Sequence, residues 1–459
     1  MTQPSAISHQ LSAIKPTWSG RPRPLPLILL LVLLSSMLSA RAFTQDKPVA
    51  LKGGKILTVT HGTIENGVII MQGGKITAVG AASSINVPSG AQVIDTTGMT
   101  VYPGLIDSET QLGLTEISAE NMTNDLVERS DEIMPHMHTA EAFHAESALI
   151  PVARMNGITN AVVAPEGADT LPGQDSFIQL AGASATEMLL IRDNAMPLNF
   201  TGDERRNKGG FDKQKFPATR MGLAAQLRQA FLDAQDYKSK WNDYERKKAD
   251  AAQSKEKKPE PMAPKRDLKL EALLPYLEGK KTLVLAAEGP SDLQTAVSLA
   301  NEFKLKFVLN HISHSQPVLD YIASLKVPVI VGPIYEAPKE DERYDTVYSL
   351  PAQLYKRGVK IVFASYSAHN VRNLPDAAGF ASAFGLPYDE ALKAITINAA
   401  EVWGVADQIG SLEVGKTANV VVANGDPLDV KTDVKQVFIR GREIPMADRQ
   451  TQLRDEYSK

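Results

Sequence analysis

Alternating strand and helix patterns in the middle of the chain constrain its fold more than any other feature. Short apolar runs rich in β-branched residues recur there, at residues 158–163, 282–285, 306–309, 327–331 and 359–363. Helical patterns, such as residues 291–303 and 389–397, lie between the runs. Buried strands that alternate with helices are typical of βα units around a parallel sheet. The sequence therefore predicts an α/β fold, a (β/α)8 TIM barrel, with an open doubly wound sheet as the alternative.

Short strands with turn signals flank this region on both sides. Residues 49–79 hold several apolar β runs, and Gly73-Gly74 between two of them indicates a hairpin. The same pattern returns at residues 419–440. Because so small a β unit cannot close a core alone, we expect both ends of the mature chain to form one small β domain with the barrel inserted into it.

The N-terminal residues have the three parts of a secretory signal peptide. Basic residues precede an apolar run at residues 25–38, and small residues follow at Ala40 and Ala42. The run is short for a membrane span. We therefore predict cleavage after Ala42 and an exported protein, periplasmic or extracellular, with no membrane segment after cleavage. An uncleaved membrane anchor is the alternative.

Charge and cysteine content limit the classes of partner and chemistry. Lys and Arg number 49 against 53 Asp and Glu, a formal net charge of −4, which argues against nucleic acid as the partner. The sequence has no cysteine, which excludes disulfides, thiolate metal sites and cysteine nucleophiles. The remaining classes are those of an ordinary globular protein that binds small molecules or other proteins.

These patterns divide the chain into four predicted parts. Residues 219–250 have apolar positions at helical spacing, and a charged, proline-bearing stretch follows them. We interpret both as a solvated insertion in the barrel, with a partner-binding arm as the alternative. Residues 1–42 are predicted to be the signal peptide, and residues 43–100 the first part of the β domain. Residues 101–405 are predicted to form the barrel, with its insertion at about 203–268. Residues 406–459 are predicted to form the second part of the β domain and a C-terminal tail.

Four stretches carry a family resemblance. They are residues 101–107 (VYPGLID), 156–161 (NGITNA), 371–375 (VRNLP), and 394–400 (AITINAA) leading to 409–419 (IGSLEVGKTAN). Together they resemble the amidohydrolase superfamily, close to its imidazolonepropionase-like branch, although the closing motif has Asn419 where the family has Asp. The resemblance implies a distorted (β/α)8 barrel inserted into a β-sandwich, with one or two divalent metals at the C-terminal ends of the strands. It also implies hydrolysis of cyclic amide-like C–N bonds, other than peptide bonds, by metal-bound water.

Most metal-binding positions of the family carry other residues in this chain. Glu109 and Gln111 stand in place of the His-x-His pair of the first strand, and Ala286 stands at the histidine position of the fifth. His311, after the sixth strand, is the surviving candidate ligand together with Glu109. Tyr366 occupies the place of the catalytic Asp, but a phenol with a pKa near ~10 is a poor base at neutral pH. No cofactor is therefore predicted, unless the altered site still holds a divalent metal such as zinc.

Other polar side chains are expected around the barrel mouth on the same resemblance. The predicted pocket residues are Glu109, Gln111, Gln174, Ala286, Glu288, His314, His369, Asn370 and Arg372. A second His-x-His pair, His136 and His138, lacks a preceding apolar strand, and we interpret it as part of a surface loop rather than a metal site.

Three interpretations of function stay open. The first is a hydrolase with an altered metal site, and the second is an exported pseudoenzyme that binds a small molecule or an active amidohydrolase paralogue. The third is a structural protein without a ligand. The loss of several metal ligands at once favours the second, because losing one already weakens metal binding strongly. A homo-oligomer is a further expectation.

Overall fold

The computed structural model describes most of the chain after the predicted signal peptide. The described residues are 47–128, 130–166, 169–200, 216–217, 219–254, 259–339 and 341–458. The predicted signal peptide and about a quarter of the predicted insertion lie outside them. The predicted domain boundaries at 100 and 405 stay predictions, because the structure groups residues 47–459 into one unit.

From residue 195 to residue 363 the described strands alternate with helices, as the sequence predicts for this region. The strands are β1 (Val49–Leu57), β2 (Thr63–Gln72), β3 (Lys75–Ala81), β4 (Gln92–Asp95), β5 (Thr100–Pro103), β6 (Leu105–Thr110), β7 (Ile158–Val163), β8 (Ser176–Gln179), β9 (Leu189–Ile191), β10 (Ala195–Asn199), β11 (Thr282–Ala286), β12 (Phe307–Asn310), β13 (Val329–Val331), β14 (Ile361–Phe363), β15 (Val420–Ala423), β16 (Val434–Ile439) and β17 (Arg442–Ile444). The helices are α1 (Thr139–Ala142), α2 (Leu149–Met155), α3 (Ala185–Met188), α4 (Arg220–Gln253), α5 (Leu268–Leu277), α6 (Pro290–Glu302), α7 (Leu319–Leu325), α8 (Thr346–Lys356), α9 (Leu374–Ala383), α10 (Tyr388–Ala394), α11 (Ile397–Val402) and α12 (Arg449–Tyr457).

One sheet joins strands from both ends of the described chain. Its order is β17-β16-β15-β5-β1-β2-β3, and β4 pairs in parallel with β1. The β2–β3 hairpin turns at Gly73 and Gly74, whose φ angles of 59° and 78° lie in the left-handed region that glycine adopts readily. Since the structure assigns these strands to a single sheet, the two-sheet sandwich stays a prediction.

Five parallel strands form a second sheet, in the order β10-β11-β12-β13-β14. Helices lie between successive strands: α4 and α5 after β10, then α6, α7 and α8 in turn. Each of these strands is almost wholly buried, which explains why the sequence shows continuous apolar runs instead of alternation. The predicted α/β class with a parallel sheet is confirmed.

A third sheet, β6-β7-β8-β9, begins with the parallel pair β6–β7 and continues with antiparallel strands. Backbone hydrogen bonds link it to the five-stranded sheet on both sides. The N–H of Tyr366, after β14, donates to the carbonyl of Glu109 at 3.0 Å, and the N–H of Asp175 donates to the carbonyl of Ala195 at 2.9 Å. The two sheets therefore meet beyond β14 and again beside β10.

The strands of these two sheets contribute to one shared interior. A single buried cluster contains one side chain from each of β6, β7, β8 and β10 to β14, namely Ile106, Val162, Phe177, Ala195, Val284, Val308, Ile330 and Val362. We call these eight side chains the interior ring. The opposite faces of the strands pack against the helices in a larger cluster that includes Leu283 and Leu309.

The long helix α4 lies where the sequence predicts an amphipathic helix. It begins after Thr219, whose hydroxyl accepts a hydrogen bond from the N–H of Gly222 at 3.1 Å. Leu223, Leu227 and Phe231 recur at helical spacing and are buried. Among the described helices, none is both long and apolar enough to cross a membrane.

Candidate functional site

Three side chains lie in a row where neighbouring parallel strands end. The strand register pairs Asn199 of β10 with Ala286 of β11, and Ala286 with Asn310 of β12. Ala286 is buried and offers only a methyl group. The amide nitrogen of Asn199 donates to the carbonyl of Asp169 at 2.7 Å. The middle of the row therefore has no side-chain donor for a metal or a ligand.

Asn310 connects two predicted site residues that come from distant strands. Its Nδ2 donates to Oε2 of Glu109 at 2.6 Å, and its Oδ1 accepts a hydrogen bond from the hydroxyl of Tyr366. We call Glu109, Asn310 and Tyr366 the Glu109 network. Sequence reasoning did not select Asn310, although its place at the end of a buried strand, directly before His311, was a usable signal.

His311 lies beside the Glu109 network. Its Nε2 is 4.0 Å from Oε1 of Glu109, and its ring centroid is 4.4 Å from that of Tyr366, with the planes tilted by 40°. The structure therefore brings Glu109, His311 and Tyr366 together. These are three of the residues that the sequence predicts for the site.

The backbone around the network is unusual. His311 and Tyr366 have φ angles of 52° and 50°, in the left-handed region that few residues other than glycine adopt. Gly332 has φ of 133°, and a Cβ there would lie 2.3 Å from the carbonyl oxygen of Ala364. Conformations of this kind cost free energy and persist where the surrounding structure holds side chains in a required place.

Glu109 is held in an environment that disfavours its charged form. Burial raises its pKa to about 8, and the nearby charges of Asp175 and Asp107 act in the same direction. The hydrogen bond from Asn310 opposes this shift. Glu109 can therefore exchange a proton close to neutral pH.

Two further carboxyl groups are almost completely buried nearby. Asp107 is 0% exposed, its Oδ1 accepts from the N–H groups of Ser365 and Glu109, and burial raises its pKa to about 7. Asp175 is 1% exposed, its Oδ1 accepts from Asn194 and the N–H of Ala195, and burial raises its pKa to about 6. Neither was among the predicted site residues.

The side-chain amide of Gln174 forms hydrogen bonds with Pro135, with helix α5 and with the turn that follows this helix. Its Nε2 donates to the carbonyl of Pro135 at 3.0 Å, and its Oε1 accepts from the hydroxyl of Tyr276 at 3.0 Å and from Nζ of Lys281 at 3.1 Å. Since both ends of the amide are used in this way, its side chain serves to join these segments.

The other predicted pocket residues occupy several different surroundings. His314 pairs through Nδ1 with Glu342 at 2.9 Å. His369, Asn370 and Arg372 are exposed in and beside a short 3-10 helix after β14. Gln111, in the turn after β6, and Glu288, after β11, are both partly buried.

The histidines of the second His-x-His pair do not share a site. His138 lies 2.7 Å from Asp193, and His144, the next histidine along the chain, lies 3.2 Å from Asp125. His136 is partly buried, and desolvation lowers its pKa.

The residues around the network do not fit the metal centre that the family resemblance implies. Zinc sites use three or four nitrogen, sulfur or oxygen ligands at about 2 Å. Here one oxygen of Glu109 already binds Asn310, and Ala286 has no donor atom. Within the described part of the chain, no group of three or more His, Asp or Glu side chains is arranged to hold a metal ion. Any ligand set would have to be assembled by moving side chains out of the hydrogen bonds seen here.

Known proteins with similar sequence or structure point to one family. Residues 293–444 match the amidohydrolase family. The crystal structure of an amidohydrolase from Thermotoga maritima MSB8 is 28% identical and covers 86% of this chain and 99% of its own, with a TM-score of 0.75. The amidohydrolase tasK of Hapsidospora irregularis is 24% identical over 392 residues, 82% of this chain. The chain spans only 39% of the length of that curated relative.

A more distant structure shares the fold alone. Molinate hydrolase is 15% identical, with a TM-score of 0.54 over 88% of this chain and 96% of its own. The family match over residues 293–444 and the likeness to the Thermotoga structure show that this chain is similar to amidohydrolases.

Proposed function

We propose that this chain is an exported amidohydrolase-like protein that binds a small molecule at the mouth of its barrel and has lost the metal-dependent hydrolysis of its family. Its barrel is a closed, distorted (β/α)8 barrel of the imidazolonepropionase-like branch. The interior ring supports closure, since eight strands from two sheets each place one buried side chain in it. Pairing with an active paralogue and homo-oligomer formation remain predictions.

The Glu109 network is the main observation that supports the loss of metal-dependent hydrolysis. Tyr366 donates to Asn310, and Asn310 donates to Glu109, so polar groups that face the mouth bond to one another. A metal-bound hydroxide needs ligands that leave one position open for water. The network offers one carboxylate and one adjacent imidazole, while Tyr366 takes the place of the proton-shuttling Asp.

A second candidate function is metal-independent hydrolysis of a C–N bond. The pair His311 and Glu109 favours it, because Nε2 of His311 is 4.0 Å from Oε1 of Glu109 and the pKa of Glu109 is raised to about 8. A carboxyl group and a neighbouring imidazole can hold and move a proton during hydrolysis. This candidate requires no metal, because Glu109 and His311 would themselves hold and move the proton.

Metal content and hydrolysis test the proposal. After dialysis, the purified protein is expected to contain well below one equivalent of zinc, manganese or iron per chain. Inductively coupled plasma mass spectrometry measures this metal content. It is also expected to show no chelator-sensitive hydrolysis of cyclic amides such as hydantoins. A combined variant, Glu109→His, Gln111→His, Ala286→His and Tyr366→Asp, supplies the family residues and is expected to gain metal.

The matched control is a double variant, His136→Ala and His138→Ala, made in the same combined background. It removes a His-x-His pair outside the network and is expected to leave the gained metal in place. Stoichiometric metal in the unmodified protein, with hydrolysis that a chelator abolishes, would refute the proposal. Hydrolysis that resists chelators and disappears in Glu109→Gln and His311→Asn would establish the second candidate instead.

A further inference from the structure

Three buried or nearly buried carboxyl groups interact in the same part of the interior. The strand register pairs Thr110 with Val163, and Val163 with Ser176, so Glu109 and Asp175, which directly precede Thr110 and Ser176, lie near the same end of the β6-β7-β8-β9 sheet. In agreement, the charges of Asp175 and Asp107 raise the pKa of Glu109. Asp175 directly precedes β8, two residues before Phe177 of the interior ring, and residues two apart on an extended strand point to the same face. Asp175 therefore points inward, toward the region where β6 presents Glu109.

Two of these carboxyl groups have an oxygen atom without a hydrogen-bond donor among the described residues. Oδ2 of Asp107 and Oδ2 of Asp175 are both buried and lack a partner, although each Oδ1 accepts two hydrogen bonds. Buried polar atoms nearly always form a hydrogen bond, because an unpaired atom loses its hydrogen bonds to water and gains none in exchange. The unpaired oxygens therefore point to a ligand that supplies N–H or O–H donors.

The charges around the carboxyl groups indicate whether the hydrogen-bond donor of the ligand is neutral or positively charged. Lys281 is close enough to lower the pKa of Asp175 slightly, but it already bonds Gln174 and pairs with Asp193. Among the described residues, no Lys or Arg forms an ion pair with Glu109 or Asp107, and the imidazole of His311 lies 4.0 Å from Glu109. The region thus carries more negative than positive charge, which favours a cation.

The mouth also offers aromatic surface next to the carboxyl groups. The rings of His311 and Tyr366 lie side by side, and cations are attracted to the face of a Tyr ring. The side chain of His311 is 33% exposed and that of Glu109 is 14% exposed, so a small ligand can reach them from solvent. An ammonium group has three N–H donors, enough to bond several carboxylate oxygens at once.

We infer that the mouth binds a small organic cation, with a primary ammonium or amidinium group held by Glu109 and Asp175 against the rings of His311 and Tyr366. The inference rests on the proposed function and names its ligand class.

Thermal unfolding of the full-length protein with three probes of matched shape tests this inference. Propylammonium chloride is expected to raise Tm by ~2 °C or more near saturation, while 1-propanol and sodium propanoate leave Tm unchanged or lower it. In Glu109→Gln and in Asp175→Asn, which keep the shape of each side chain, the rise is expected to vanish. The matched control Glu302→Gln removes an exposed carboxylate that pairs with Arg228 and is expected to keep the full rise.

Three results would overturn the inference. They are an equal rise with 1-propanol, a rise that persists in either variant, and no rise with propylammonium, whether or not calcium or zinc chloride produces one. A rise with propanol or propanoate that depends on Glu109 would still leave a small-molecule site in place. The proposed function, in contrast, fails only on the metal and hydrolysis measurements, so the two failures can be told apart.

Discussion

Replacing Phe177 by alanine is expected to lower the free energy of unfolding by ~3–5 kcal/mol. Phe177 is fully buried and is the largest side chain of the interior ring, where its neighbours from the other strands are Ile, Val and Ala. Alanine leaves a cavity there. The ring residues belong to hydrogen-bonded strands, which cannot move inward to fill the space.

Urea unfolding of the purified variant measures this loss. The matched control is Phe380→Ala on helix α9, because Phe380 is 40% exposed and its ring lies beside those of Tyr335 and Tyr348. The control is expected to lose less than half as much stability, since most surface substitutions cost little. Equal losses in the two variants would contradict a closed interior around Phe177.

The strands of the α/β region could be predicted because their burial is visible in the sequence. The run at residues 158–163 coincides with β7, and the run at residues 282–285 differs from β11 by one residue. The antiparallel pair β8 and β9 was not predicted. These strands have four and three residues, too few to show a period against their polar and glycine-rich surroundings.

The site could be predicted only as far as family motifs extend. The motifs led to Glu109, His311 and Tyr366, which the structure brings together. The motifs did not reveal Asn310 as the residue that joins Glu109 to Tyr366, since those contacts span 201 and 56 positions.

The surroundings of the predicted pocket residues depend on partners that no local pattern indicates. Gln174 bonds Tyr276 and Lys281, which lie 102 and 107 positions away. His314 pairs with Glu342, 28 positions away. The sequence gives the chemical type of each residue, but the fold decides whether its hydrogen-bonding capacity is still available to a ligand.

Replacing Asp107 by asparagine is expected to stabilise the protein relative to the unmodified chain as pH rises from 4 to 8. Burial raises the pKa of Asp107 from 3.8 to about 7 in the folded state. Between these values the folded protein holds a proton that the unfolded chain releases, so ionisation above pH 4 progressively disfavours folding. Asparagine never ionises, and its Oδ1 can still accept from the N–H groups of Ser365 and Glu109.

The free energy of unfolding of both proteins, measured in urea between pH 4 and pH 8, tests this expectation. The difference between variant and unmodified protein should grow by on the order of 2–4 kcal/mol and level off above about pH 7, since one pKa unit corresponds to ~1.4 kcal/mol. Asp95→Asn is the control, because hydrogen bonds from Thr97 lower the pKa of this exposed group below its ordinary 3.8. Asp95 is therefore ionised in both states over most of this pH range, and the difference for this variant is expected to stay nearly constant above about pH 5. A difference independent of pH would mean that Asp107 is ionised in the folded protein, with its second oxygen already satisfied. A cation bound beside Asp107 would have the same effect, so propylammonium should reduce the pH dependence if it reaches this carboxyl group.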